Sequence, residues 1–251
     1  MIVDEGRYRV SSSRAEERWM GAAPVVLVHG VGMSHRYYAR LQKVLARTRD
    51  VHAIDLPGFG SFGRPRTDFP PERMARGLAV VLERLGLSRA VLVGHSMGAQ
   101  WVVELARQRP ELVDAIVLIG PVVDVRHRSL RSQAFALASD ALREPPLVNA
   151  ILLADYVRCG IPWYSSQVRH MMRYPIEQRM SEVGAPALII RGGGDPIAGL
   201  EWCRALRDRA RHADLVLVPG RAHVVQDTAP RATASAIEAF LAGGRRARQA
   251  T

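Results

Sequence analysis

Cysteine is nearly absent from this 251-residue chain, with only Cys159 and Cys203 present. Two isolated thiols cannot build a disulfide framework or a cysteine zinc site, so both are predicted to be free in a reducing compartment. Lysine is scarcer still. Lys43 stands alone, and the formal net charge of +11 is therefore an arginine charge. The arginines are spread over every segment, and aromatics make up only 6% of residues and do not interleave with them. That pattern lacks the contiguous basic, base-stacking surface of a nucleic-acid binder and reads instead as solvated helix faces. The histidines are scattered without metal-ligand spacing, so no metal and no cofactor are expected. No apolar run reaches bilayer length; Val148 to Val157 is interrupted and too short. Met1 to Val10 carries Asp4, Glu5, Arg7 and Arg9 where a secretory signal needs an apolar stretch. The expectation is a soluble, cytoplasmic protein with no membrane or nucleic-acid partner. Nothing in the sequence fixes its oligomeric state.

What the chain does have is apolar residues, 48% of the total, enough for one large core. Many fall in short runs read as strands, at Pro24 to His29, Arg49 to Ile54, Ala90 to Val93, Ala115 to Ile119, Pro186 to Arg191 and Ala213 to Val218; the first is continuous, as a strand buried on both faces shows. Helical spacing separates them, at Tyr37 to Leu45, Pro71 to Leu85, Ala99 to Gln108, Leu200 to Ala210 and Ala229 to Ala242. Alternation of this kind predicts an α/β fold with a mostly parallel central sheet and helices on both faces. Arg7 to Met20 alternates weakly and suggests a leading hairpin. Between Pro121 and Val183 the strand signal lapses. Helical stretches replace it near 130–142, 147–157 and 167–172, broken by Pro145-Pro146, Pro162 and Pro175. The predicted organisation is a core of residues 1–120 and 184–242, a helical cap of 121–183, and a basic, frayed tail of 243–251.

The chain turns on Val91 to Ala99, where an apolar run breaks into Gly94-His95-Ser96-Met97-Gly98. This is a G-x-S-x-G turn with a strand before it and a helix after it, the context that gives the pattern meaning. Serine there takes a strained conformation, and side chains at 94 or 98 would collide with neighbouring backbone. A serine nucleophile needs a base, an acid to orient that base, and amide donors for the oxyanion. His223, in Pro219-Gly220-Arg221-Ala222-His223, follows the last predicted strand. Asp195, in Gly192-Gly193-Gly194-Asp195, follows the strand before it. In a parallel sheet the carboxyl ends of the strands share one edge, so Ser96, Asp195 and His223 can converge. Asp124, after the strand 115–119, is the rival carboxylate. His29 and His95 are read as structural, and Trp101 and Trp202 as core residues.

On these motifs, and on the chain order Ser, Asp, His, the sequence resembles the serine-nucleophile, esterase-like branch of the α/β-hydrolase superfamily over about residues 24–242. The resemblance implies that Ser96 is the nucleophile, His223 the general base and Asp195 the orienting acid. His29-Gly30 matches the family's His-Gly motif, which makes the backbone amides of Val31 and Met97 the oxyanion hole. Asp55-Leu56-Pro57-Gly58-Phe59-Gly60 is similar to the family's structural Asp-x-Pro-Gly-x-Gly loop. The expected reaction is cleavage of a carboxylic ester, a small-molecule substrate, without cofactor. Thioesterase, carbon–carbon hydrolase, amidase and acyltransferase chemistry uses the same triad, and a non-catalytic ligand-binding member shares the fold. The resemblance disfavours epoxide hydrolase and dehalogenase chemistry, which need aspartate on the turn.

Within the expected cap, Phe135, Leu137, Leu147, Ile151, Leu152, Trp163, Met171 and Met172 exceed the apolar content a solvated loop requires. Trp163, Met171 and Met172 are the candidates for an apolar acyl site. Arg126, His127, Arg128 and Arg131 at its entrance are read mainly as a solvated face, with selection of an acidic substrate as the alternative.

Overall fold

A computed structural model describes residues 1–4, 6–17, 19, 21–60, 63–124 and 146–249. Among the described residues nine strands run in chain order: β1 (Ile2–Val3), β2 (Gly6–Arg7), β3 (Arg9–Ser13), β4 (Val25–Val28), β5 (Val51–Asp55), β6 (Ala90–His95), β7 (Val113–Ile119), β8 (Ala187–Gly192) and β9 (Ala213–Val218). Among the described residues the helices are α1 (Ala39–Leu45), α2 (Pro71–Arg84), α3 (Gly98–Gln108), α4 (Pro146–Cys159), α5 (Ile161–Arg173), α6 (Ile176–Arg179), α7 (Leu200–Arg209), α8 (Val225–Thr228) and α9 (Pro230–Gln249). Strands β3 to β9 form one sheet in the order β3-β5-β4-β6-β7-β8-β9. All pairings in it are parallel except β3 with β5.

The continuous apolar runs are explained by their burial on both faces. Val26, Val28, Leu92, Ile116, Leu118 and Ile189 point to one side, where α2, α3 and α7 bring Leu78, Val102, Trp202 and Leu206. Their sequence neighbours Val25, Leu27, Val91, Val93, Val117 and Ile190 point to the other, against Leu41 and Leu45 of α1 and Ile237 and Leu241 of α9. A side chain on every residue of such a strand meets a helix, so no polar alternation appears. The order reverses at β4: the chain moves outward to β5, then returns to the opposite side of β4 as β6. A crevice opens at the carboxyl ends of strands where such a reversal occurs, and the loops after β4 and β6 meet there.

Several expectations are corrected. Among the described residues the leading hairpin over Arg7 to Met20 does not form. Ile2–Val3 pairs with Gly6–Arg7 instead, and Arg9–Ser13 lies antiparallel on β5, with Arg9 opposite Asp55 and Ser13 opposite Val51. An edge strand with one solvated side needs little apolar signal, so its pairing was invisible to local pattern. Pro162 does not break a helix but sits in the first turn of α5, where its missing N–H costs nothing. Helix α9 continues to Gln249, past Gly243, where the sequence suggested a frayed tail. The stretch after the two glycines is Arg, Arg, Ala, Arg and Gln, all strong helix formers. The predicted helix over 130–142, with Phe135, Leu137, Arg126, His127, Arg128 and Arg131, lies outside the described residues, as do the side chains of Leu147 and Leu152.

Candidate active site

Ser96 stands between β6 and α3 with φ 55°, the left-handed region, and its amide donates to the Ile119 carbonyl of β7 at 2.9 Å. A non-glycine residue held there costs about 1–3 kcal/mol, sustained only because the surroundings fix it. A Cβ on Gly94 would strike the Gly98 carbonyl group, and one on Gly98 would strike the Val28 and His29 carbonyls. Close packing of strand, turn and helix thus excludes any side chain at both positions. Ser96 itself remains 9% exposed.

The loop after β4 closes on this turn. A Cβ on Gly30 would lie 3.0 Å from Ser96 Cβ. His29 accepts a hydrogen bond at Nε2 from the Leu56 amide (3.1 Å), so its proton sits on Nδ1, which donates to the Gly30 carbonyl at 2.7 Å. The Met33 amide donates to the same carbonyl at 3.3 Å, closing a tight turn in which Gly32 has φ 72°. In a trans peptide C=O and N–H point opposite ways, so fixing the Gly30 carbonyl also fixes the direction of the Val31 N–H, away from His29. Burial lowers the His29 pKa, consistent with a neutral ring in this role.

His223 and Asp195 meet at the neighbouring part of the same edge. His223 Nδ1 lies 2.8 Å from Asp195 Oδ2. The Ile197 and Ala198 amides donate to Oδ1 at 2.8 and 3.0 Å. Burial penalises the charged carboxylate, but His223 and these two amides outweigh it and hold Asp195 below its usual range. An ionised carboxylate only accepts, so Nδ1 carries the proton and Nε2 is the unprotonated ring nitrogen. His95, next to Ser96, brackets His223: its Nε2 donates to the His223 carbonyl at 3.2 Å, and the two rings are 4.6 Å apart. Burial drives the His95 pKa well below its ordinary value, with His223 adding to the effect.

Two residues here escaped the sequence reading. A Cβ on Gly120, directly after β7, would fall 2.8 Å from the His223 ring and 3.2 Å from Asp195 Oδ2, so only glycine leaves them room. Arg191, buried near the end of β8, laces the Asp195 loop by donating to the carbonyls of Ala198 (2.6 Å), Gly193 (2.9 Å) and Asp195 (2.9 Å). The available signal was a single charge following the apolar Leu188-Ile189-Ile190. The rival Asp124 is also buried, and a Cβ on Gly199 would come within 3.6 Å of its Oδ2. The carboxylate bonded to His223 is that of Asp195.

Helices α4 and α5 lie over the loops after β4 and β5. Tyr156 occupies the space a Cβ on Gly32 would need, and Trp163 the space above Gly58. The structure gives Trp163 a packing position: its ring meets Phe59 and Phe69, each at 6.2 Å between centroids, within the main core. Met171 is buried beside it, and its carbonyl accepts from Gln100 Nε2 at 2.9 Å. Met172 is only partly buried against the same core. Asp155 of α4 is fully buried and accepts from Ser34 Oγ (2.7 Å), from Arg36 and from Arg158 (3.3 Å). Among the described residues no group of His, Cys, Asp and Glu side chains forms a metal site, and no helix is long and apolar enough to cross a membrane.

Comparison with known proteins agrees with this architecture. The α/β hydrolase fold family matches residues 23–144, and a family described as TAP-like protein matches 146–251. An uncharacterised protein of Mycobacterium tuberculosis is 31% identical over 154 residues, 59% of this chain and 45% of that protein. The chain thus aligns with less than half the length of that relative. A 2-(acetamidomethylene)succinate hydrolase of Mesorhizobium japonicum is 25% identical over 95% of this chain and 94% of its own. Among solved structures, an N-acyl homoserine lactone degrading enzyme superposes with TM-score 0.81 at 20% identity, covering 95% of this chain and 98% of that one. The enol-lactonase of Burkholderia xenovorans LB400 gives 0.80 at 20% identity, covering 96% and 98%. Two family matches that together run from residue 23 to the last, on a seven-stranded sheet of this order with serine on the turn after β6, have one meaning: the chain belongs to the α/β-hydrolase superfamily.

Proposed function

We propose that the protein is a serine hydrolase that cleaves a carboxylic ester of a small or medium apolar substrate through an acyl-enzyme at Ser96. The observation that carries this reading is the pairing of a left-handed serine on a glycine-walled turn with a histidine already oriented by a buried carboxylate. Ser96 Oγ attacks the ester carbonyl carbon as its proton passes to His223 Nε2. The negative charge on the carbonyl oxygen is met by the amides of Val31 and Met97. Collapse of this intermediate expels the alkoxide, which takes the proton from His223 and leaves as the alcohol. Water then attacks the acyl-enzyme, giving its proton to His223, and Ser96 departs with that proton to release the acid. Asp195 holds the imidazole in the productive tautomer and stabilises its charged form. No step requires a cofactor or a macromolecular partner.

The reading is supported by the company the fold keeps: a lactone-degrading enzyme and an enol-lactonase share it, and a 2-(acetamidomethylene)succinate hydrolase aligns along most of the chain. The proposal extends to substrate choice, which is assigned to the helices α4 and α5 above the site. Trp163 joins α5 to the core, and Met171 and Met172 are the residues of that helix proposed to border the acyl group. The test is incubation with a fluorophosphonate probe and with p-nitrophenyl esters of graded chain length, beside Ser96→Ala. Labelling and turnover are expected for the native protein and neither for the variant. A native protein that takes no label and cleaves no ester overturns the assignment.

A further inference from the structure

Between the loop after β5 and the outer face of α5 lies a cavity of about 720 Å3, and its walls are strongly cationic. Arg64, Arg66, Arg169 and Arg173 line it with His170. None of the four arginines has a hydrogen-bond or ion-pair partner among the described residues. The contrast with a neighbouring cavity is informative. At the 510 Å3 cavity beside Ser34, the arginines include Arg36 and Arg158, both bonded to Asp155. Among the described residues Asp68 is the sole carboxylate lining the larger cavity, and it is already engaged by His170 Nε2 (2.8 Å) and Ser166 Oγ (3.0 Å). Those bonds draw the carboxylate against α5 and tie the 63–69 loop to the helix.

General features of the fold do not produce this cluster. Arg169 and Arg173 are one turn apart on α5, where like charges repel. The C-terminal end of a helix favours cations, which accounts for Arg173 and His170. It does not account for Arg64 and Arg66, which approach from a separate loop and are held by Pro65 between them. Guanidinium groups converging from two elements suit planar, two-pronged recognition of phosphate oxygens. The volume is that of a small-molecule site, and Pro65, Pro162 and the buried Trp163 supply apolar surface for an organic moiety.

We propose that this groove binds a ligand carrying adjacent phosphate groups, as an organic diphosphate ester does, at a site separate from Ser96. The inference does not depend on the hydrolase reading. Its test is direct binding to the intact protein, measured by titration calorimetry with inorganic pyrophosphate at 150 mM NaCl, a concentration that screens non-specific surface attraction. Binding with one site per chain is expected, weakened at least tenfold in Arg169→Gln/Arg173→Gln and unaffected in the charge-matched pair Arg209→Gln/Arg211→Gln. Arg64→Gln/Arg66→Gln, on the opposite wall, gives a second variant that leaves α5 untouched and is expected to lose a similar factor. Co-sedimentation with cardiolipin vesicles, whose headgroup carries two phosphates, distinguishes the source of the phosphates. Competition by vesicles, sensitive to the same variants, makes the natural ligand a lipid headgroup; pyrophosphate binding without vesicle binding makes it a soluble ester. The proposal is overturned by no binding of either probe, by binding that the two groove variants leave unchanged, or by an equal loss in the charge-matched control pair.

Discussion

Around Ser96 the backbone does the positioning: glycines at 30, 94, 98 and 120 admit close approach, and parallel strands carry each loop to a common edge. Over that edge, α4 and α5 are held by buried polar side chains. Asp155 reaches Ser34 and Arg36, Gln167 donates to the Phe69 carbonyl at 3.2 Å, and Tyr174 donates to Glu104 at 2.7 Å. The first region is fixed by what cannot be added, the second by contacts that can be removed one at a time. Substitutions at the edge should therefore abolish chemistry, whereas substitutions in the helices above should lower stability and shift selectivity.

The largest expected effect is at the nucleophile. Ser96→Ala should cut kcat by more than about 10^4-fold while leaving the fold intact, since removing a triad nucleophile typically costs that much or more. Asp195→Asn should follow at about 10^4-fold, because the amide favours the wrong tautomer of His223. Asp124→Asn, assayed alongside, should lose far less; a larger loss there with both proteins folded would transfer the role to Asp124.

Trp163→Ala sharpens the contrast from the other side. Emptying the space between Phe59, Phe69 and Gly58 should destabilise the protein by about 3 kcal/mol in urea denaturation. Fluorophosphonate labelling of Ser96 should persist, and the preferred ester length should change as α5 shifts. Asp155→Ala should cost about 2 kcal/mol, the scale of losing charge-assisted hydrogen bonds, moderated because Arg36 and Arg158 can turn to solvent. Its kinetic signature should be a raised KM more than a lowered kcat. If Asp155→Ala silenced labelling altogether, the division between the two regions would fail.

The last effect is a pH slope. His29 and His95 are fully buried, and burial lowers both their pKa values relative to the ordinary 6.5. Below 6.5 the unfolded chain takes up protons that the folded protein refuses. Stability should therefore fall with acidification from that point, by up to about 1.4 kcal/mol per pH unit for each histidine, until the lowered folded values are reached. Asp195 has the same sign at lower pH: its depressed value gives stability that is present above its ordinary pKa and lost as pH falls through the folded one. Denaturation midpoints between pH 8 and 5 measure the histidine part. A flat profile would mean that the two rings are not held neutral.

How far the sequence could be read depended on where information is stored. The strands β4 to β8 were legible because each residue faces a helix and the apolar run is continuous. The turn at 94–98 was legible because excluded volume leaves a glycine signature in the chain itself. Edge strand β3 was not, since its pairing with β5 joins Arg9 to Asp55 and Ser13 to Val51, partners too far apart in the chain for any local pattern to show. The packing place of Trp163 was equally hidden: an aromatic on a helix reads the same whether it faces a ligand or Gly58. Composition, period and motif, then, determined the α/β class, the glycine-walled serine turn and the candidates for a triad, because those depend on local backbone sterics and on burial along single strands. The tertiary structure alone decided that Asp195 and not Asp124 meets His223, that Gly120 and Arg191 frame that pair, and that four arginines from two elements face one cavity. These are distances between segments far apart in the chain, and only packing sets them.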